Sequence, residues 1–231
     1  ELKAVQRVGV SPSHIIFVGP GKTNYELQYA IEKQVNVIVS ESPREVYNIQ
    51  AFAQNLQQIA RVALRINPGR GKGMLSMGGL TQFGMDRNSA LDILQDSKLS
   101  NIEVVGIQGF LGTQLLDWKV IEEHSRLILN IADDLQQSSR KLFSFIDLGG
   151  GFGIPYHEAD KPLNLFELHK TLTNLLDEYS HIYPTTETIA VESGRFLVGS
   201  SGIFVTRVLD IKGDQEQYFV VLDGGINAFG G

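Results

Sequence analysis

Phe143-Ser-Phe-Ile-Asp-Leu-Gly-Gly-Gly-Phe-Gly-Ile-Pro-Tyr156 is an aromatic and β-branched run that breaks into three consecutive glycines. Glycine gives up strand propensity, so at Gly149, Gly150 and Gly151 the backbone needs a positive φ or a close neighbour. Successive N–H groups in such a turn can converge on an anion, phosphate being the usual guest, although Gly-rich segments also serve as plain turns. Outward from this stretch, strand-like runs recur at Ile15–Val18, Val35–Val39, Val62–Ile66, Val104–Ile107 and Thr188–Val191. Helical patterns lie between them, over Thr23–Lys33, Pro43–Ala60, Ser89–Asp96, Leu116–Gln137 and Leu165–Tyr179.

Alternating strand and helix predicts an α/β fold with a parallel sheet covered by helices. The strand runs are short and apolar on both faces, as buried parallel strands are. No Gly-x-Gly-x-x-Gly follows the first strand, which argues against an open dinucleotide-binding sheet. Polar or Gly-rich sequence follows nearly every strand, the pattern of a (β/α)8 TIM-type barrel with its site at the strand C-termini. After Gly202 the pattern changes. Ile203–Lys212, a Gly213-Asp214 turn and Gln217–Leu222 predict a hairpin. The expected division is residues 1–200 as the barrel and 201–231 as the start of a β-rich second domain.

Composition narrows the function classes. The 231 residues are 42% hydrophobic and 20% charged, with a net charge of −6 and no cysteine. An acidic chain without basic clusters predicts no nucleic-acid partner and no anionic membrane surface. Thiolate metal sites and disulfides are excluded within these residues. No apolar run is long enough to span a bilayer and no secretory signal opens the chain, so a cytoplasmic location is expected. No initiator Met is present and Glu1-Leu-Lys-Ala-Val-Gln6 reads as mid-helix, so an interior piece of a longer chain is expected.

The strand C-termini offer Gly19-Pro-Gly-Lys-Thr23, Ser40-Glu-Ser42, Arg65-Ile-Asn-Pro-Gly69, Gln108-Gly-Phe-Leu-Gly-Thr-Gln114, Gly149–Gly151 and Glu192-Ser-Gly-Arg195. Together they supply anion donors, guanidinium groups, carboxylates and an aromatic ring. They contain no metal cluster, no nucleophile elbow and no pair of close catalytic acids. Gly21-Lys22-Thr23 lacks the earlier glycine of a phosphate-binding Walker loop, because Ile16 occupies that position; a turn closed by a Thr23 helix cap is expected instead. The five histidines show no ligand spacing and read as surface residues. Arg65 fits a ligand contact and a structural ion pair equally well.

Asp147-Leu-Gly-Gly-Gly-Phe-Gly-Ile-Pro and Glu192-Ser-Gly-Arg-Phe-Leu-Val resemble the Gly-rich and E-P-G-R signatures of fold-type III pyridoxal-phosphate decarboxylases, the diaminopimelate, ornithine and arginine type. Ile16–Thr23, Arg65-Ile-Asn-Pro68 and Thr81-Gln-Phe-Gly-Met-Asp86 agree, so the resemblance spans essentially the whole chain. It implies that the chain carries strands three to eight of the barrel and the beginning of the β domain. It further implies pyridoxal 5'-phosphate as cofactor, decarboxylation of an α-amino acid, and a homodimer with sites at the interface.

By the same resemblance the N–H groups of Gly149, Gly150 and Gly151 cradle the phosphate, Arg195 neutralises it, and Glu192 faces the pyridine nitrogen. Thr113 and Arg65 match residues beside the cofactor, Asp223 matches a substrate-pocket acid, and Glu1 matches an acid at the mouth of the second strand. Many members stack a histidine on the ring in a His-x-Gly-Ser pattern; here Phe110-Leu-Gly-Thr113 replaces it. The Schiff-base lysine of the family belongs to the first barrel strand, upstream of Glu1, so no lysine here, Lys22 included, fills that role. Phe110 and Gly71–Gly79 resemble a subgroup that acts on amino acids tethered to acyl-carrier proteins, or in specialised biosynthesis; a mobile lid and a loop without a partner remain alternatives for the Gly/Met segment. An alanine-racemase-like isomerase and a non-catalytic, cofactor-binding pseudo-decarboxylase are the competing functions.

Overall fold

The computed structural model describes residues 1–68, 83–110, 112–182, 188–214, 217–225 and 228. Within them the chain forms two compact units, Glu1–Gly194 and Arg195–Gly231. The Gly71–Gly79 segment, Thr81, Gln82 and Leu111, all used in the sequence reading, lie outside the described residues.

The first unit runs α1 (Leu2–Arg7), β1 (Ile16–Phe17), α2 (Asn24–Glu32), β2 (Val37–Ser40), α3 (Pro43–Asn55), β3 (Ala60–Ile66), α4 (Arg87–Gln95), β4 (Ile102–Gly109), α5 (Trp118–Ser139), β5 (Phe145–Gly150), α6 (Leu165–Glu178) and β6 (Thr188–Glu192). All pairings are parallel, and the six strands lie side by side in sequence order. A doubly wound sheet reverses its order at a switch point, whereas a sequential order is that of a TIM-type barrel. The α/β barrel expectation holds.

The two faces of the sheet bury different sets. Ile38, Val62, Leu64, Ile66, Ile107, Ile146 and Leu148 pack outward into the core shared with the helices. Val37, Val39, Ala63, Val105, Phe145 and Ala190 form a separate inner cluster. Both sets are apolar, which is why the strands read as continuous hydrophobic runs without alternation.

Local chemistry fixes the helix boundaries. Thr23 caps α2 with a full capping box, its hydroxyl accepting from the Glu26 N–H and the Glu26 carboxylate accepting from the Thr23 N–H at 2.7 Å. Ser42 caps α3 by accepting from the Glu45 N–H, but the Glu45 carboxylate is turned away to Lys22. Helix α3 stops at Asn55, short of the expected Ala60. Gln57 takes a left-handed φ of 53°, and Ala60 already opens β3.

The Lys22 side chain is buried, with all three ammonium donors taken: the Gly19 carbonyl at 2.6 Å, the Val39 carbonyl at 2.7 Å and Glu45 at 2.8 Å. It pins the β1–α2 turn to the end of β2, so it is structural. The histidine reading needs one correction. His14, His157, His169 and His181 are exposed, but His124 is 2% exposed on the buried stripe of α5, with Ile121, Ile128, Ala132 and Leu135. That stripe repeats at three- and four-residue steps, and His124 falls on it.

The second unit contains α7 (Arg195–Val198) and the antiparallel pair β7 (Val208–Gly213) and β8 (Tyr218–Leu222), paired from Val208↔Leu222 to Gly213↔Tyr218. The hairpin read from the sequence is present, its first strand starting at Val208 rather than Ile203. Every residue of both strands is exposed.

Candidate active site

The inner face of the sheet changes character in one step at its C-terminal rim. Side chains two residues apart on a strand share a face, and register partners on neighbouring strands share it too. Val39 is followed at that spacing by Glu41, Ala63 by Arg65, Gly106 by Gln108, Phe145 by Asp147 and Ala190 by Glu192. The register pairs Arg65 with Gln108, and Gln108 with Asp147. Five polar side chains therefore form one layer above the apolar inner cluster.

The layer is hydrogen-bonded along most of its length. Glu41 accepts from Arg65 Nη1 at 2.6 Å and from the Gly84 N–H at 3.0 Å. The Arg65 guanidinium lies 4.7 Å from the Phe83 ring centre and 5.5 Å from that of Phe110, within cation–π reach of both. Gln108 donates from Nε2 to Glu192 at 3.2 Å and to the Gly109 carbonyl at 3.1 Å. Its Oε1 is buried and, among the described residues, has no hydrogen-bond donor.

Asp147, 1% exposed, accepts the Gly149 N–H at 2.9 Å and stands close enough to the Glu192 carboxyl for each to shift the other. Burial raises both acids. Glu192 is pushed up to about 7 by burial and by the adjacent Asp147 charge, against the opposing pull of Arg65. Asp147 is raised by burial, while the Gly149 N–H, Glu192 and Arg65 each favour its ionised form. Below about pH 7 one proton is therefore retained by the two groups, on Glu192.

The glycine run is shaped by its neighbours. Between Asp147↔Ala190 and Gly150↔Glu192, β5 carries one residue more than β6. Gly149 is that extra residue, at φ +76°, and a Cβ on it would stand 2.1 Å from the Gly109 carbonyl oxygen. Gly151, at φ +96°, would bring a Cβ to 2.3 Å from the Gly112 carbonyl oxygen. This is a bulge that only glycine fits, and it turns the Gly149 N–H inward onto Asp147. The loop carrying Thr113 is laced to the glycine loop: the Leu115 N–H donates to Gly151 at 2.8 Å and the Gly153 N–H to Leu115 at 2.9 Å.

Arg65, Phe110, Thr113, Gly149–Gly151 and Glu192 thus gather at one rim of the first unit. Phe110 keeps 36% of its surface exposed, and Thr113 is exposed. Arg195 opens the second unit, where its carbonyl accepts the Gly199 N–H at 2.7 Å. Asp223 is exposed there and accepts from the Thr206 hydroxyl and the Arg207 N–H, each at 2.8 Å, with its carboxyl held below the usual range by those bonds. Glu1 precedes α1 and is exposed.

Sequence reasoning gave no role to Glu41, Gln108 and Asp147. Their signal was a polar residue ending each apolar strand run. Among the described residues no helix is long and apolar enough to cross a membrane, and no cluster of His, Asp and Glu could hold a metal ion.

The layer and bulge suit pyridoxal phosphate in two respects: a carboxyl that can face a ring nitrogen, and a tight backbone turn beside it that admits no side chain. Comparison with known proteins agrees. The model of the pyridoxal-dependent decarboxylase, pyridoxal binding domain, matches residues 1–199. The L-glutamyl-(BtrI acyl-carrier protein) decarboxylase of Niallia circulans is 34% identical over 98% of this chain and 54% of its own length. Diaminopimelate decarboxylase of Aquifex aeolicus is 30% identical over 98% of this chain and 54% of its own.

The crystal structure of Helicobacter pylori diaminopimelate decarboxylase complexed with L-lysine superposes with a TM-score of 0.79 at 31% identity, over 98% of this chain and 56% of that one. The diaminopimelate decarboxylase from M. jannaschii superposes at 0.84 with 26% identity, over 98% of this chain and 53% of that one. The chain spans about half the length of the relatives it matches. With a sequential parallel sheet, a glycine bulge at β5 and a family match over residues 1–199, the chain belongs to the pyridoxal-dependent decarboxylases.

Proposed function

We propose that this chain is the greater part of the cofactor-binding barrel of a pyridoxal-phosphate-dependent α-amino-acid decarboxylase, with residues 1–200 forming the barrel portion and 201–231 opening the second domain. The observation that carries this reading is Glu192 in the polar layer at the end of β6, carboxyl beside Gln108 and Asp147. When bound, the cofactor supplies a ring that takes up the electron pair released as the substrate carboxylate leaves as CO₂.

The residues divide the remaining work. Glu192 holds the ring nitrogen in its protonated form by placing a carboxylate against it. Gly150 and Gly151 offer N–H groups to the phosphate, with Gly149 serving the bulge because its own N–H is committed to Asp147. Arg195 adds positive charge to the phosphate site and Thr113 a hydroxyl. Phe110, steadied by Arg65, covers a ring face by stacking, without offering a hydrogen bond. Asp223 is assigned to the substrate pocket.

Alanine-racemase-like chemistry is disfavoured because a carboxylate, not an arginine, occupies the layer at β6. The substrate reading divides between free diaminopimelate and an amino acid carried on an acyl-carrier protein. Phe110 and the 34% identity to the glutamyl-carrier enzyme favour the second. We assign the protein to the cytoplasm as a homodimer, and sedimentation of the full-length protein tests the assembly. The functional test is CO₂ release by the full-length protein from free diaminopimelate and from glutamate loaded on an acyl-carrier protein. Release from either, dependent on added pyridoxal phosphate, supports the reading; release from no α-amino acid, free or carrier-bound, contradicts it and favours a pseudo-decarboxylase.

A further inference from the structure

We propose that Asp147 is a positioning residue for Glu192: its carboxylate accepts a hydrogen bond from the Glu192 carboxyl, so that the cofactor-free site already stores the proton that the ring nitrogen requires. This rests on the reading of Glu192 given above and adds where the proton comes from.

The geometry leaves the pair little alternative. Asp147 stands in register with Gln108 on one side and Ala190 on the other, which places it on the same face as Glu192, two residues beyond Ala190. It is 1% exposed, so water cannot screen it. The bulge turns the Gly149 N–H onto Asp147 Oδ1 at 2.9 Å, which favours the ionised form of Asp147 over that of its neighbour. Arg65 is a cation that acts on the pair, and its Nη1 is bound to Glu41 at 2.6 Å. Gln108 is neutral and donates to Glu192 from Nε2. Two carboxylates cannot both ionise there cheaply, so one proton stays, shared from Glu192 to Asp147.

When a basic ring nitrogen docks against Glu192, the Glu192 O–H bond breaks and an N–H bond forms. Glu192 becomes a carboxylate beside a cation, and Asp147 keeps its charge. No proton need enter from solvent for this exchange. The glycine bulge thereby acquires a role besides the phosphate: it sets which of the two acids is the donor.

The test is calorimetry of pyridoxal phosphate binding to the full-length apoprotein at pH about 6, below the value of about 7 to which Glu192 is raised, in buffers of different ionisation heat. The slope of observed heat against buffer heat counts protons exchanged with solvent. Asp147→Asn keeps an oxygen for the Gly149 N–H but removes the like charge, so Glu192 is raised by burial alone and starts more ionised than in wild type. This variant is expected to take up more protons than wild type, by up to about one per site. Protons from Schiff-base formation cancel in the comparison. Equal counts in the two proteins overturn the proposal.

Infrared difference spectra of wild type supply a measurement that does not need the variant. A protonated-carboxyl C=O band should bleach when the cofactor is added and be missing in Glu192→Gln. Absence of that band in wild type also overturns the proposal. Failure of the wild-type protein to bind pyridoxal phosphate at all instead refutes the cofactor reading on which it rests.

Discussion

Arg65 on β3 and Glu41 just after β2 form a buried ion pair, 2.6 Å from Nη1 to Oε1, with side-chain exposures of 8% and 6%. The pair is extended by the Gly84 N–H on Glu41 and by the Phe83 and Phe110 rings around the guanidinium. It anchors one end of the polar layer whose other end is Glu192. Breaking it from either side leaves a buried charge without its partner.

Glu41→Ala is therefore expected to destabilise the protein by about 3–5 kcal/mol, the usual cost of orphaning a buried ion. Denaturant midpoints of wild type and variant measure it. Because Arg65 then loses its anchor over Phe110, cofactor affinity should fall along with stability.

Glu192 gives the cofactor-free protein a pH dependence of definite sign. Its carboxyl is raised from 4.5 to about 7 in the folded chain, so the folded state holds more protons than the unfolded one across that window. Its stabilising contribution is complete below about 4.5 and is lost as the pH rises through about 7, with Asp147 acting in the same direction. Unfolding midpoints across this range should drop with rising pH, and Glu192→Gln should flatten the curve. The same variant is expected to bind the cofactor but release CO₂ far more slowly.

His124 acts at the acid end with the opposite sign. Burial lowers it from 6.5 to about 4, with the nearby Leu148 and Gly109 backbone offsetting only part of the shift. The unfolded chain binds the extra proton between these values, so stability falls as pH drops through that range. A variant of similar bulk without the titration, His124→Phe, should lose this acid sensitivity, read as a smaller change in melting temperature between about pH 6.5 and 4.5.

Gly149→Ala is expected to cost several-fold more than an ordinary surface change. It places a side chain at φ +76° and 2.1 Å from the Gly109 carbonyl oxygen, so β4 and β5 must separate. Loss of the bulge also removes the Gly149 N–H from Asp147. Titration of pyridoxal phosphate into this variant should show at least tenfold weaker binding if the rim is the cofactor site.

Much of this architecture is legible in the chain. The six strand runs, the hairpin, the Thr23 cap and the glycine turn can all be placed before any coordinate is seen. The boundary of α3 was less visible, because Gln57 takes the left-handed conformation that glycine usually signals. The polar layer was hidden for a different reason. Inner- and outer-facing strand residues are both apolar, so no period of two marks the inward side. Only the register shows that Glu41, Arg65, Gln108, Asp147 and Glu192 share a face. Asp147 was quoted as part of a motif without a role, since its meaning depends on Gly149 turning back and on Glu192 arriving from a strand more than forty residues later.

The most direct test of the account is the intact mass of the full-length protein after incubation with pyridoxal phosphate and reduction with borohydride. The account predicts a gain of one reduced cofactor per chain, mapped to a single lysine other than the buried Lys22, and its weakening in Arg195→Ala at limiting cofactor. An unmodified mass under saturating cofactor would contradict it and leave the barrel as a scaffold without the chemistry of its family.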